Sequence, residues 1–287
     1  MSATSPDADS STATLPDPVA EGQRVVAEAG ANDIIMRLIG GVAVAVQSPE
    51  EPLLSREIKD IDFVTSRAGK TALAALFQSL GYTSDEQFNA FHGHHRQIYV
   101  DVERRRKVDV FVDGFSMCHA LPITERLHRE PVTVPLAELL LTKLQIVELN
   151  ERDERDIYNL CFHHEIADGE AAGGIASGQG DVGVAAGKGA GGIASGPPAE
   201  IEGGVIATLC ARDWGLWRTC KGTIERCVAD LGNYGLASQQ RELIGSRLEQ
   251  LWDRIEREPK ASKWRIRNRV GDRVRWYEEP EEEAQEQ

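Results

Sequence analysis

The sequence predicts an α/β (α+β) fold followed by a mainly helical C-terminal region, and three observations support this prediction. Short β-rich runs alternate with helical apolar patterns as far as residue 167. Gly and Ala then dominate residues 168–199, where large side chains are scarce. Beyond that stretch, large apolar side chains recur at roughly helical spacing. Strands and helices mixed in this way pack as layers around a core.

Composition divides the 287 residues into five parts. Residues 1–19 are mostly Ser, Thr, Ala, Pro and Asp, which predicts a disordered arm. Two blocks with enough apolar content for a core follow, at residues 20–167 and 200–277. Between them, residues 168–199 predict a flexible linker, in which the hexapeptide GGIASG occurs twice. Residues 278–287 form an acidic tail.

The first block is predicted to begin with a helix and then to alternate strands with helices. Helical patterns cover residues 18–31, 42–46, 71–80, 136–149 and 152–163, the fourth of them introduced by Pro135. β-Rich runs cover residues 34–39, 61–65, 97–102 and 107–112. The short polar segment between the last two runs predicts an antiparallel hairpin.

The second block, residues 200–277, predicts a pair of amphipathic helices at about 209–231 and 243–255. Gly215 and Gly222 lie inside the first of these and weaken its helical pattern. Residues 264–277 alternate basic with apolar side chains on both sides of Gly271 and Asp272. This pattern fits either a hairpin or a basic helix.

Charge, cysteine content and hydropathy narrow the classes of function. A formal net charge of −14 argues against non-specific nucleic-acid binding by the whole chain, but not against a local basic patch. Five widely spaced cysteines without a CxxC pair predict no disulfide framework, which fits a reducing compartment. No apolar run reaches the ~18 residues of a membrane span, and the N-terminus lacks the features of a secretory signal. We therefore expect a cytoplasmic protein with no membrane partner.

Three acidic residues in strand contexts carry the main prediction of chemistry. Asp60 and Asp62 are two positions apart at a predicted strand, so their side chains share one side of it. Asp109 lies inside an apolar run, where an unpartnered carboxylate would be costly to bury. Mg²⁺ prefers such oxygen ligands together with substrate phosphates. Three carboxylates from neighbouring strands would suit a metal-assisted phosphoryl displacement.

Gly40 and Gly41 predict the other half of this site. Glycines at a turn from strand to helix let the backbone approach a ligand closely. The N-terminus of the following helix offers unpaired N–H groups to phosphate oxygens. The segment therefore combines a candidate phosphate cradle with a candidate metal cradle.

At these residues the sequence resembles the nucleotidyltransferase superfamily related to DNA polymerase β. The family signature is a Gly-Gly or Gly-Ser turn, an Asp-x-Asp strand and a third Asp on a later strand, here Gly40-Gly41, Asp60-x-Asp62 and Asp109. The later run LLLTKLQ, which contains Lys143, and the segment RDERD at 152–156 are similar to the bacterial branch that includes abortive-infection type toxins. The resemblance covers roughly residues 20–167, with 18 residues between Gly41 and Asp60, more than is usual in the family.

The resemblance implies a mixed sheet with flanking helices and Mg²⁺-dependent transfer of a nucleoside monophosphate from an NTP, such as ATP, to an acceptor hydroxyl, with release of pyrophosphate. Carried over, Asp60 and Asp62 would bind the metals, and Asp109 would complete the metal site and help deprotonate the acceptor. Gly40 and Gly41 would hold the triphosphate. Lys143 is either a charge on the triphosphate or a lysine whose stem covers apolar surface.

Several other groups of residues have open interpretations. His92, His94, His95 and Arg96 either line the nucleotide or acceptor pocket or belong to a polar loop. Two Cys/His groups, at 118–119 and 161–164, offer a zinc alternative with unfamiliar spacing. Residues 260–277 hold seven basic side chains and interleaved aromatic ones, which suits RNA binding or a solvated face that pairs with the acidic tail.

Two alternatives to the transferase remain open at the level of sequence. The first is a catalytically silent nucleotidyltransferase fold that acts as a nucleotide- or nucleic-acid-binding module. The second is a nuclease or phosphatase that uses the same acids with water as the acceptor. The presence of all three acids argues against the silent fold, and the diglycine turn before the acids argues against the nuclease or phosphatase.

Overall fold

A five-stranded mixed sheet organises the first block. The computed structural model describes residues 13–48, 52–169 and 200–279. The strands are β1 (Met36–Ile39), β2 (Ile61–Thr65), β3 (Thr83–Ser84), β4 (Arg96–Asp101) and β5 (Arg106–Val112), and their order across the sheet is β1-β2-β5-β4-β3. Strands β2 and β5 run parallel, whereas the other neighbours are antiparallel. Two short pairs lie outside this sheet, β6 (Phe115–Ser116) with β7 (Ala120–Leu121) and β8 (Ile166–Ala167) with β9 (Ile201–Glu202).

Six helices flank or connect these strands as far as residue 169. They are α1 (Pro18–Ala31), α2 (Gly40–Val46), α3 (Leu73–Ser79), α4 (Glu86–His92), α5 (Leu136–Leu144) and α6 (Glu151–His163). Asp17 caps α1 by accepting a hydrogen bond from the backbone N–H of Ala20, and Pro18 occupies the first turn, where its missing N–H costs nothing. Asn150 caps α6 in the same way, through the N–H groups of Arg152 and Asp153.

The prediction of a mixed α/β architecture is confirmed, with differences at element ends. The first strand begins at Met36 rather than at residue 34, and α2 begins directly at Gly40. The predicted helix at 71–80 is a 3₁₀ turn (Arg67–Ala72) followed by α3. The predicted helix at 136–149 ends at Leu144, because residues 145–150 connect to the Asn150 cap of the next helix.

The C-terminal region, residues 200–279, is mainly helical, as predicted. It contains α7 (Gly203–Arg212), α8 (Trp214–Asp230), α9 (Ser238–Arg257) and α10 (Ser262–Val270). The first predicted helix is divided at Asp213, whose carboxylate accepts hydrogen bonds from the N–H groups of Gly215 and Leu216 and so starts α8. The hairpin prediction for 264–277 is wrong, because Trp264 is buried on α10 and Gly271, with φ +61°, ends that helix.

The helices after residue 200 share one hydrophobic core with the first block. The hydroxyl of Tyr158 on α6 donates a 2.7 Å hydrogen bond to the carbonyl of Cys227 on α8. The parallel pair β8–β9 brings together the segments just before and just after residues 170–199. Almost all of the predicted linker at 168–199 lies outside the described residues, as do residues 1–12 of the arm and 280–287 of the tail.

Residues 13–19 of the predicted arm are described: Pro18 and Val19 belong to α1, and the buried hydroxyl of Thr14 donates a 2.6 Å hydrogen bond to Asp101. Over the described ranges, every helix is too short or too polar to cross a lipid bilayer.

Candidate active-site cleft

An open cleft of about 1450 Å³ lies where β1, β2 and β5 meet α5 and α6. Its walls include Gly40, Asp62 and Lys143, three of the residues singled out from the sequence. Of the four residues His92, His94, His95 and Arg96, the cleft lining contains His95 and Arg96. The last described residues of the chain, Glu278 and Glu279, lie at its edge.

Strand register places Asp62 beside Asp109. Asp62 on β2 is the direct partner of Asp109 on the parallel strand β5. Directly paired residues on adjacent strands project to the same side of a sheet, so the two carboxylates are neighbours. Asp60 is exposed and precedes β2, two positions before Asp62. Its negative charge acts on Asp62, as does that of Asp109.

The diglycine bend lies against the same carboxylate. Ile39, the last residue of β1, is the antiparallel partner of Asp62, and Gly40 follows it with φ +65°. A Cβ atom at Gly40 would lie 2.2 Å from Oδ2 of Asp62, a distance that no real Cβ contact shows. Both the positive φ and this close approach require glycine at position 40. Gly40, Asp62 and Asp109, which are far apart in the sequence, are thus neighbours in the fold, and of these three Gly40 and Asp62 line the cleft.

The charge state of Asp62 reflects this crowding. The pKa of Asp62 is raised to about 7, first by burial and then by the negative charge of Asp109. Lys143 and Arg96 oppose the shift but do not cancel it. Near neutral pH, Asp62 is therefore poised between a carboxylic acid and a carboxylate, and a further cation would favour the carboxylate.

Asp109 is held by two cations from its own sheet. The Nε and Nη2 atoms of Arg96 each lie 2.8 Å from Oδ1 of Asp109, and Nζ of Lys107 lies 3.2 Å from Oδ2. Arg96 also packs between two aromatic rings, with its guanidinium carbon 5.6 Å from the Phe88 centroid and 5.4 Å from that of Phe111. These contacts fix both the position of Asp109 and the direction in which it faces.

Lys143 is buried between two carboxylates on α6. Its Nζ atom lies 2.9 Å from Asp156 and 3.2 Å from Asp153. Burial opposes the charge on Lys143, but Asp156 and Asp153 outweigh it and raise the pKa of Lys143. The interpretation of Lys143 as an exposed lysine covering apolar surface is therefore wrong, because its side chain is only 11% exposed.

Arg56 completes this cluster, and sequence analysis did not identify it. Its Nε and Nη2 atoms bind the two oxygens of Asp156 at 2.7 and 2.8 Å. Burial alone would raise the pKa of Asp156, but Lys143 and Arg56 outweigh burial and lower it. A Cβ atom at Gly41 would lie 2.0 Å from Nη2 of Arg56, so Gly41 makes room for the guanidinium beside the start of α2.

The acidic residues present fit a divalent cation that takes oxygen ligands. Asp62 and Asp109 repel each other across one strand pair, and the glycine at position 40 leaves the Asp62 oxygen accessible at the cleft. Asp60, Asp62 and Asp109 do not together form a group that could hold a metal ion, and within residues 13–48, 52–169 and 200–279 no other group of three or more His, Cys, Asp or Glu side chains does so. This includes the Cys/His groups considered for zinc. Arg96 and Lys107 already neutralise Asp109, so a divalent cation would compete with them for its oxygens.

A second concave surface lies between α8 and α10. We call it the tryptophan groove; its volume is about 600 Å³ and it is lined by Trp214, Trp217, Arg218, Lys221 and residues 268–273. The Nζ atom of Lys221 lies 5.7 Å from the centroid of a Trp217 ring. Five residues beyond Arg273, Glu278 reaches the cleft, so the two surfaces are at most about 18 Å apart along this segment.

The comparisons with known proteins leave the family of this chain undetermined. Neither a protein-family model nor a curated protein matches the sequence.

Proposed function

We propose that this protein is an Mg²⁺-dependent nucleotidyltransferase, which moves a nucleoside monophosphate from an NTP to an acceptor hydroxyl and releases pyrophosphate. One observation carries the proposal: Asp62 and Asp109 are direct partners on parallel strands, and the diglycine bend touches Asp62. A pair of adjacent carboxylates, one of which (Asp62) has a raised pKa, beside a backbone turn without side chains suits a metal-bound triphosphate better than a structural role.

Each residue has a proposed role in this reaction. Asp60, Asp62 and Asp109 would hold Mg²⁺, and Asp109 would also accept the proton of the acceptor hydroxyl. Gly40 and Gly41 would let the triphosphate approach the backbone, and Lys143 would present its charge to the phosphates. Bound Mg²⁺ would supply charge neutralisation for the pyrophosphate as it leaves.

Transfer of label from an α-³²P-labelled NTP tests the proposal. Purified protein is incubated with Mg²⁺, each of the four NTPs and acceptors that include total RNA and a cell extract. We expect labelled product with the wild type and a loss of about 10³-fold in Asp62→Asn and Asp109→Asn, comparable to removing a key electrostatic group in other enzymes. Asp113→Asn is a matched control, since Asp113 also lines the cleft but is 44% exposed and pairs with Arg67.

One specific observation favours the silent binding module as a second candidate. The structure already neutralises Asp109 with Arg96 and Lys107, and Lys143 with Asp153 and Asp156. Such internal pairing would suit a fold that binds a nucleotide without turning it over. Tight binding of NTP by the wild type, with no transfer to any acceptor and no release of pyrophosphate, would select this candidate over the transferase.

For the acceptor, we propose a nucleic acid that lies in the tryptophan groove. Arg218, Lys221, Arg269 and Arg273 line the groove, and its acidic member, Asp272, is paired with Arg218 at 3.2 Å. Aromatic rings among cations are typical of surfaces that bind single-stranded nucleic acid. The proximity of the groove to the cleft would bring a bound strand's terminal hydroxyl toward Asp109. This is the RNA partner suggested by residues 260–277.

A further inference from the structure

Arg96 occupies an unusual place for an arginine beside a candidate metal ligand. Two of its nitrogens lie 2.8 Å from the same oxygen of Asp109, and its side chain is only 17% exposed. The guanidinium contacts Asp109 and also lies against the rings of Phe88 and Phe111. A planar guanidinium that is both stacked and hydrogen-bonded has a fixed orientation, which lysine cannot reproduce.

Arg96 and Lys107 differ in what else they can reach. Arg96 lines the cleft together with Asp62 and Gly40, whereas Lys107 contacts the other oxygen of Asp109 from outside the cleft lining. Arg96 also lowers the pKa of Asp62 through its charge, against the effects of burial and Asp109. Its positive charge therefore serves both carboxylates, and it is the member of the pair that faces the space where a ligand would lie.

We propose that Arg96 is a nucleotide-binding residue that is held by Asp109 until the metal nucleotide binds. In the free protein it supplies positive charge to Asp109 and fixes the orientation of this carboxylate. When Asp109 binds the cation of a metal nucleotide, Arg96 yields its place and contributes its charge to the triphosphate instead. This inference rests on the proposed nucleotidyltransferase function. Arg96 would compete with the metal ion for Asp109, and it would strengthen the binding of the nucleotide.

The two roles predict opposite effects of one substitution. In Arg96→Gln, Asp109 loses a competing cation, so the protein should bind Mn²⁺ about threefold more tightly or better, because a neighbouring like charge has been removed. The same variant should bind α,β-methylene ATP and its GTP, CTP and UTP counterparts about tenfold more weakly in the presence of Mn²⁺, because a phosphate ligand has been lost. Mn²⁺ binding is measured by electron paramagnetic resonance of the free ion, and nucleotide binding by calorimetry.

Arg96→Lys and Arg67→Gln provide the controls. Arg96→Lys keeps the charge and should keep the Mn²⁺ affinity of the wild type, while it binds the nucleotide with an intermediate affinity because the two-nitrogen contact is lost. Arg67→Gln removes an arginine that also pairs with an aspartate but is 77% exposed, and it should change neither affinity. Circular dichroism of each variant verifies the fold, and Arg96→Lys serves alone if Arg96→Gln does not fold.

The outcomes separate this inference from the proposed function. Tighter Mn²⁺ binding combined with weaker nucleotide binding supports it. If Arg96→Gln weakens both, Arg96 merely shapes the site, and if it changes neither, Arg96 has no part in binding; either result overturns the inference and leaves the function standing. If Arg96→Lys, tested alone, binds the nucleotide as the wild type does, the inference is also wrong. A wild type that binds neither Mn²⁺ nor nucleotide overturns both proposals.

Discussion

The cleft and the tryptophan groove concentrate charge in opposite ways. In the cleft, carboxylates and cations are buried together, and strand register forces Asp62 and Asp109 side by side. In the groove, Arg218 and Lys221 lie over indole rings, and Arg269 and Arg273 are exposed to solvent. Buried like charges act strongly on each other, whereas exposed ones are screened by water and salt. The fold therefore bears a cost in stability at the cleft that it avoids at the groove.

The cleft itself contains two kinds of carboxylate group. Asp153 and Asp156 are matched by Lys143 and Arg56, with all four side chains largely buried. Asp62 is not balanced in this way, since its pKa is raised to about 7 by burial and by Asp109. A balanced group is expected to hold α5 against α6, whereas an unbalanced one is expected where a ligand brings the missing charge.

Removing Lys143 should have the largest effect on stability. Lys143→Met keeps most of the apolar stem but leaves Asp153 and Asp156 short of a cation, so we expect the free energy of unfolding to fall by about 3 kcal/mol, as when one partner of a buried ion pair is deleted. Urea denaturation measures the change. Lys221→Met, in an exposed i,i+4 pair with Glu225, should change it by less than about 0.5 kcal/mol. Equal effects of the two substitutions would show that the cleft charges are no more structural than those of the groove.

The element types were predictable from sequence, whereas the contacts between distant elements were not. Strands at 61–65 and 107–112 were predicted from their β-rich composition, and the structure places them at Ile61–Thr65 and Arg106–Val112. Arg56 has no local signal for its role, because its partner Asp156 is 100 residues away and depends on α6 packing beside α2. The alternation in residues 264–277 fits both a strand and a helix, and burial of Trp264 against Trp217, 5.1 Å between ring centroids, favours the helix.

The candidate site divides in the same way. The sequence placed Gly40, Gly41, Asp62 and Asp109 in the correct strand and turn contexts, but only the β1–β2–β5 register brings them together. For His92, His94, His95 and Arg96 the sequence left a pocket and a polar loop open, and the structure places His95 and Arg96 on the cleft wall. The charge partners of Lys143 could be suspected from the nearby acids, but its burial could not, since it depends on helices from both blocks.

Replacing Asp62 should have a smaller effect on stability and one that depends on pH. Because the folded-state pKa is about 7 and the ordinary value is 3.8, the folded protein keeps a proton that the unfolded chain releases between about pH 4 and pH 7. Stability of the wild type should therefore fall as pH rises through this window and level off above it. Asp62→Asn removes the cost, so in EDTA it should be about 1–3 kcal/mol more stable than the wild type at pH 8 and similar to it at pH 4. Asp113→Asn, which is more exposed, should follow the wild type at both values.

The groove should give the smallest change in stability and a distinct change in binding. Arg269→Gln with Arg273→Gln should leave the free energy of unfolding within about 0.5 kcal/mol of the wild type, because both side chains are exposed. If each arginine contacts a phosphate, the slope of the logarithm of the affinity for polyadenylate against the logarithm of salt concentration should become shallower by about 1.4, at about 0.7 for each contact. All five tryptophans of the chain lie between residues 214 and 276, so their fluorescence reports binding in this region.

A matched pair of substitutions separates this surface from the general charge of the chain. Arg105→Gln with Arg257→Gln removes the same charge from exposed positions outside the groove and should leave the salt slope unchanged. An unchanged slope in the groove variant, or polyglutamate binding as tightly as polyadenylate, would mean that the groove does not read a phosphate backbone. The charges of the cleft and those of the tryptophan groove would then differ only in burial. The cations of the groove would be solvated surface charges, and the acceptor would bind on the walls of the cleft instead.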